Sequence, residues 1–184
     1  MSAKKKMIIA ISAFAMVVLA AVVAVVAVLA AQNVTVKSSI TISYTTVEIQ
    51  GQMTASYKVG ASGSVESIGT INPDGTDPDG EMNMGSKTIS LTKENNYVEF
   101  IFTFTNTNHS APYTAELTGN PTNANFTILY SAEANGEATA NSAVAITVPA
   151  DQETPLTYKV RYTLNKFDAD VTLTGNFVWT LQTA

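Results

Sequence analysis

This sequence contains no cysteine and only one histidine, His109. Without cysteine the chain has no disulfide, no thiol nucleophile and no thiolate ligand for a metal. One histidine cannot build a multi-histidine metal site, and as a general base it would need a nucleophile and an orienting acid beside it. His109 lies in a polar stretch between two apolar segments, which favours a loop residue over a catalytic base.

Basic residues are scarce as well, with ten Lys and Arg against fifteen Asp and Glu in the 184 residues. Three of the ten are Lys4, Lys5 and Lys6, so residues 32–184 carry seven basic and fifteen acidic side chains, a net charge of −8. No basic stripe or patch is visible. Nucleic acid and anionic lipid surfaces are therefore poor partners for this part of the chain.

Sequence motifs for catalysis are missing too. No glycine-rich phosphate loop follows a strand, no Gly-x-Ser-x-Gly motif is present, and there is no Cys/His cluster. We therefore predict a protein that is not an enzyme, with no cofactor and no catalytic or metal-ligating residues.

A long uncharged run does occur, over residues 7–31, directly after the three lysines. A basic start, an apolar stretch and a cleavage site at Val28-Leu29-Ala30, with small residues at its first and third positions, are typical of a cleaved secretory signal. The run also exceeds the about 20 residues that a membrane-spanning helix needs, and the lysines would then hold the N-terminus inside. Both interpretations export the chain from about Ala31, so we predict residues 1–31 as a signal or anchor and residues 32–184 as one exported domain.

A third interpretation of the run is a type IV pilin-like leader, in which residues 7–31 become a filament core. Lys6 is followed directly by Met7, without the small residue that usually separates the basic peptide from the helix. No Glu lies near the start of the run either, so this alternative ranks below the other two.

Apolar residues in the exported part recur with a period of two, as strands with one buried face require. The clearest runs cover residues 98–104, 156–164 and 171–181, and further strands are predicted at 34–49, 53–59, 65–70, 87–91, 113–118, 125–130 and 143–148. Turn sequences separate them. This pattern predicts an all-β, antiparallel β-sandwich, immunoglobulin-like or jelly-roll, preceded by one N-terminal hydrophobic helix.

The first predicted strand, residues 34–49, changes its alternation. Ser38 interrupts the apolar face, and Val47 and Ile49 occupy the other parity, which suggests a bend near Thr45-Thr46. An extended segment directly after an export signal is free to pair with a neighbouring subunit. The alternative is that it is simply the first strand of the sandwich.

One loop concentrates carboxylates at Asp74, Asp77, Asp79 and Glu81. Alternating acidic side chains bear some similarity to a calcium loop, but the EF-hand spacing with its bidentate Glu is absent. Asn-Pro-Asp-Gly and Asp-Pro-Asp-Gly each match a type I turn instead. We therefore expect tandem turns here and no calcium site.

Three other residues are interpreted from their strands. Trp179 falls on the apolar face of the last strand, which favours a core position over a carbohydrate-stacking platform. Glu99 and Lys159 fall on polar faces. An intramolecular isopeptide needs a buried lysine beside a buried acid, so this placement argues against one.

The run 97–106, which ends in Thr-Asn, and the turn Pro149-Ala150-Asp151 before the strand at 158–162 look like a bacterial immunoglobulin-like surface domain. The plan of a lysine-started leader and one cysteine-free β-domain also resembles the TasA/camelysin group of secreted fibre subunits. That resemblance implies subunits that donate and accept an N-terminal strand, which would be residues 34–49 here.

These observations predict a non-enzymatic structural protein of the cell surface or envelope, a filament or matrix subunit that assembles by β-strand addition through residues 34–49. The alternative is a membrane-tethered monomeric binding module or adhesin, held through residues 7–31. A pilin-like subunit with residues 7–31 as filament core is the remaining possibility.

Overall fold

The computed structural model describes residues 31–44, 50–72, 79–108, 111–132 and 138–183. These residues form eleven strands in two sheets and no helix, so the all-β prediction is confirmed for this part of the chain. The predicted export segment with its hydrophobic helix, the predicted bend at Thr45-Thr46, and the residues Asp74, Asp77 and His109 lie outside the described residues.

Sheet A is organised around the first strand. β1 (Gln32–Tyr44) pairs antiparallel with β4 (Asp79–Leu91) and parallel with β10 (Val171–Thr174) and β11 (Phe177–Thr183). Since β4 pairs with β1 along nearly its whole length, β10 and β11 follow one another along the opposite edge. Beyond them, β11 pairs with β6 (Tyr113–Gly119), and β6 pairs with β8 (Ile146–Val148).

Sheet B is antiparallel throughout. Its spatial order is β3-β2-β5-β9-β7, formed by β2 (Gly51–Val59), β3 (Glu66–Ile71), β5 (Tyr97–Asn106), β7 (Phe126–Ser131) and β9 (Gln152–Leu164). From β3 to β10, each successive strand lies in the other sheet. The chain therefore weaves between the two layers rather than completing one sheet at a time.

Aromatic side chains from the two sheets meet between the layers. Phe102 and Phe104 of β5 contact Trp179 of β11 edge-on, with ring centroids 5.2 and 4.9 Å apart, and Tyr158 of β9 contacts it at 5.0 Å. Each such pair stabilises the fold by about 0.5–1.5 kcal/mol beyond the area it buries. Trp179 is fully buried, which confirms the predicted core position.

Asn106, at the end of β5, joins three segments. Its buried Nδ2 donates hydrogen bonds to the carbonyls of Ala111 and Pro149, both at 2.9 Å, and its Oδ1 accepts one from the backbone N–H of Asn108 at 3.0 Å. The Tyr113 hydroxyl donates to the Thr105 carbonyl at 2.8 Å. The Thr-Asn strand end and the Pro-Ala-Asp turn, which are far apart in sequence, therefore meet at one buried joint.

The strand predicted over residues 171–181 is divided into two. Gly175 adopts a φ of 138° between β10 and β11, and a Cβ there would lie only 3.0 Å from the Cα of Pro121. The positive φ and the close approach of Pro121 therefore favour a glycine at this break between β10 and β11. The antiparallel prediction also needs a correction at this point, because β1 runs parallel to both halves.

The strand predicted at 87–91 is longer than expected, since β4 begins at Asp79. Its inward residues switch parity, from Met82 and Met84 to Ile89 and Leu91. The switch is a β-bulge at Gly85, which has a φ of 63°. Part of the segment predicted as tandem turns, from Asp79 to Glu81, is therefore strand.

Candidate assembly strand

β1 is enclosed on both edges and on one face. Its inner residues Val34, Val36, Ile40 and Ile42 are at most 1% exposed. Its backbone pairs with β4 on one side and with β10 and β11 on the other. We call the space between β4 and the β10–β11 edge the β1 slot; without a strand in it, the slot would expose core side chains and two rows of unpaired backbone groups.

β1 shares a sequence pattern with the β10–β11 segment, which runs parallel to it. Every ladder partner on β10 or β11 lies 137 residues after its partner on β1, from Val34 and Val171 to Tyr44 and Leu181. β1 and the β10–β11 segment each have apolar residues on the inner face and one small residue in the middle. The small residue is Ser38 in β1 and Gly175 between β10 and β11. The small residues therefore fall at the same level of the sheet.

Ser38 marks an irregularity that crosses sheet A. Opposite it, the bulged β4 contributes two residues, Met84 and Gly85, so the antiparallel register shifts between Lys37 and Ser39. Ser38 is 7% exposed, and its hydroxyl donates to the Ser39 carbonyl at 3.1 Å. The sequence singled out Ser38 only as a polar residue within the apolar face; the register shift beside it was not predicted, and the inward alternation of β1 continues through it.

Side chains outside the ladder also hold β1. Asp170 Oδ1 accepts hydrogen bonds from Gln32 Nε2 at 2.8 Å and from the backbone N–H of Asn33 at 3.1 Å. Asn176 Oδ1 accepts one from the backbone N–H of Ser39 at 3.2 Å. Asp170 and Asn176 were not singled out from the sequence, because both are exposed polar residues in short connections.

The outer face of sheet B holds a carboxylate whose face was predicted correctly but whose burial was not. Glu99 lies on this polar face yet is only 1% exposed. Arg161 Nε and Nη2 donate to its Oε2 at 2.9 and 2.8 Å, and Lys58 Nζ lies 3.6 Å from Oε1. The Arg161 guanidinium covers the ring of Tyr97 at 4.3 Å. An acid is thus buried beside a lysine after all, but a two-point arginine pair holds it.

Three buried tyrosines have phenol groups with raised pKa values. Burial, followed by the hydrogen bond that Tyr57 donates to Glu66 and the charge of that carboxylate, raises the pKa of Tyr57 to about 12. Burial is also the main cause that raises the pKa values of Tyr158 and Tyr162. These phenols stay protonated at neutral pH, so none of the three is a general base there. Tyr57 donates a hydrogen bond to Glu66 and Tyr162 donates one to the Pro121 carbonyl, whereas Tyr158 accepts one.

A pocket of about 270 Å³ lies beside β7 and β9. Tyr130, Thr139, Val144 and Tyr158 line it, and the Tyr158 hydroxyl accepts a hydrogen bond from the Val144 N–H at 3.2 Å. Among the described residues, its lining contains no carboxylate, histidine or lysine.

Only part of the predicted carboxylate loop lies within the described residues. Asp79 and Glu81 have backbone positions at the start of β4, where they pair with Ser43 and Thr41. Among the described residues, no group of three His, Asp or Glu side chains comes together in a way that would hold a metal ion.

No helix in the described part of the chain is long and apolar enough to cross a membrane. No protein-family model matches the sequence, and no curated protein matches it either. The interpretation of β1 and its slot therefore rests on their own geometry.

Proposed function

We propose that this chain is a non-enzymatic structural protein of the cell surface, a filament or matrix subunit in which β1 of one copy fills the β1 slot of another. The observation that carries the proposal is the position of β1, which is the first strand of the domain and completes the core of sheet A. Exchange of an identical element between copies re-forms the same contacts in trans, so it costs little at equilibrium.

The energetics favour a slot that is always occupied. Each of the four buried apolar side chains on β1 contributes about 1.5–3 kcal/mol when it leaves water. The slot also presents backbone donors and acceptors along both edges, which a strand satisfies by β-augmentation. An empty slot would therefore recruit a strand, either its own or that of a neighbour.

Of the two sandwich topologies expected from the sequence, we propose the jelly-roll. The alternation of strands between the two sheets from β3 to β10 supports it. Immunoglobulin-like domains have more pairs of consecutive strands within one sheet than jelly-rolls have. We further propose that residues 1–31 export the domain to the extracellular space or envelope, either as a cleaved signal or as a retained anchor.

Strand exchange can be tested by cross-linking, because the chain has no cysteine of its own. Thr35 and Thr172 are ladder partners on the outer face of sheet A, and neighbouring strands lie about 4.8 Å apart, within the Cα separation of a disulfide. One exported domain carries Thr35→Cys and a second carries Thr172→Cys. After the two are mixed and oxidised, we expect a disulfide-linked heterodimer whose amount increases with incubation time.

The matched control replaces Thr172→Cys with Thr118→Cys, which lies on the same outer face but on β6, away from β1. That mixture should give only background cross-linking. A double variant with both cysteines at 35 and 172 that yields only internally bridged monomers, at every concentration, would overturn the proposal. It would favour the tethered monomeric binding module or adhesin instead.

A further inference from the structure

We infer that Asp170 and Asn176 set the register of β1 in its slot and act as the positioning residues that decide which strand the slot accepts. The acceptance of a strand from another copy rests on the proposed function, whereas the register of the chain's own strand does not.

The first step is that both side chains bind backbone amides of β1. Asp170 Oδ1 accepts the N–H of Asn33 at 3.1 Å, and Asn176 Oδ1 accepts the N–H of Ser39 at 3.2 Å. Each acceptor lies 137 residues after the amide it binds. This is the same spacing as in the parallel ladder, so the two side chains and the ladder specify one register.

The second step is that the ladder alone leaves the register open. A displacement of β1 by two residues keeps every inward side chain inward, because the strand period is two. The ladder is also interrupted between Thr174 and Phe177, where the backbone hydrogen bond from the Gly175 N–H to the Lys37 carbonyl is long at 3.4 Å. A two-residue slip would move each bound amide about 6.6 Å along the strand and away from its side-chain acceptor.

The third step concerns the sequence of the strand. Hydrogen bonds to the backbone do not distinguish one side chain from another. Once Asp170 and Asn176 fix the register of β1, however, one position of the strand must lie opposite the bulge at Met84 and Gly85. That position holds the small residue Ser38 between two pairs of buried aliphatic residues. The slot therefore selects a strand with two apolar residues, one small residue and two apolar residues at alternate positions, and β1 of a second copy has this pattern.

The experiment uses disulfides within the full exported domain as register markers. Thr35→Cys with Thr172→Cys reports the native register, and Thr35→Cys with Thr174→Cys reports a slip by two residues. Each pair is placed in three backgrounds: unchanged, Asp170→Ala with Asn176→Ala, and Asp170→Asn with Asn176→Asp, which keeps a side-chain oxygen at both positions. The bridged fraction is measured by peptide mapping under a glutathione redox buffer.

We expect the double-alanine background to raise the slipped-register disulfide at least tenfold over the unchanged background and to lower the native one. The Asn/Asp background should restore the native preference, which a general loss of stability would not do. Each single alanine variant should give an intermediate slipped fraction. Both residues are exposed, and the emission of the single tryptophan verifies that each variant is folded.

A slipped fraction that stays at background in the double-alanine variant would overturn the inference, since the apolar pattern alone would then set the register. The readout is an internal disulfide and needs no second copy. Failure of strand exchange between copies, together with an increase in the slipped disulfide, would therefore reject the proposed function and leave the register assignment standing.

Discussion

Glu99 is a carboxylate on the outward face of a strand, yet Lys58 and Arg161 on the neighbouring strands almost completely cover it. Its Oε2 receives two bonds from Arg161, while Oε1 faces Lys58 at 3.6 Å without a hydrogen bond among the described residues. Removing the charge would take the Glu99 carboxylate away from Arg161, whose side chain is 13% exposed. Burial makes such a loss more costly than at the surface.

We predict that Glu99→Gln lowers the free energy of unfolding by about 2–3 kcal/mol. Urea denaturation followed by the fluorescence of Trp179, the single tryptophan, gives the value. The matched control is Glu153→Gln on the same sheet, where the side chain is exposed and a change within about 0.5 kcal/mol is expected. Equal effects of the two substitutions would show that the buried ion pair contributes nothing to stability.

Two glycines with positive φ interrupt the strands beside β1, and their surroundings differ. At Gly85, with a φ of 63°, a Cβ would meet no atom within 4 Å. At Gly175, with a φ of 138°, it would lie 3.0 Å from the backbone of Pro121. The first position is restricted by conformation alone, and the second by conformation and space.

Gly85→Ala should therefore lower the free energy of unfolding by about 1–2 kcal/mol, and Gly85→Asn by less, because Asn tolerates the left-handed region. Gly175→Ala should cost about 2–4 kcal/mol, since overpacking adds to the strain. Thermal and urea unfolding of the three variants test this order. A Gly85→Ala loss as large as that of Gly175→Ala would contradict it.

Alternation predicted those strands whose buried face continues without interruption. β5 and β9 are examples, because Phe100, Phe102 and Tyr158 keep one parity. β4 was shortened in the prediction because the bulge at Gly85 reverses its parity. Parallel pairing of β1 was missed for another reason, since parallel and antiparallel strands share the period of two.

The candidate site was predictable only in part. The position of β1 after the predicted export segment and the polar residue Ser38 within its apolar face are visible in the sequence. Asp170 and Asn176 are not, because each acts on an amide 137 residues earlier. One signal was available: β1 and the last segment share the pattern of two apolar, one small and two apolar residues, which is expected for neighbours in register.

At the scale of the whole domain, β1 and β11 run in the same direction, so the described chain begins at one end of sheet A and finishes at the other. Gln32 and Thr183 lie at opposite ends of sheet A. The 13 residues of β1 span about 43 Å at about 3.3 Å per residue. A strand donated by the next copy would enter every slot with the same polarity. Such head-to-tail contacts use two different surfaces and generate an open fibre unless the rotation closes a ring.

Assembly in this way must bring together domains that each carry a net charge of −8 over residues 32–184. The Debye length falls from about 30 Å at 0.01 M salt to about 8 Å at 0.15 M, so added salt screens the repulsion between approaching copies. We predict that raising NaCl from 10 to 150 mM increases the initial rate of heterodimer formation between the Thr35→Cys and Thr172→Cys domains about tenfold. Glu94→Lys with Glu153→Lys, two exposed positions, halves the net charge to −4 and should reduce this salt dependence. If the rate stays constant or falls as salt is added, repulsion between the domains does not limit their encounter.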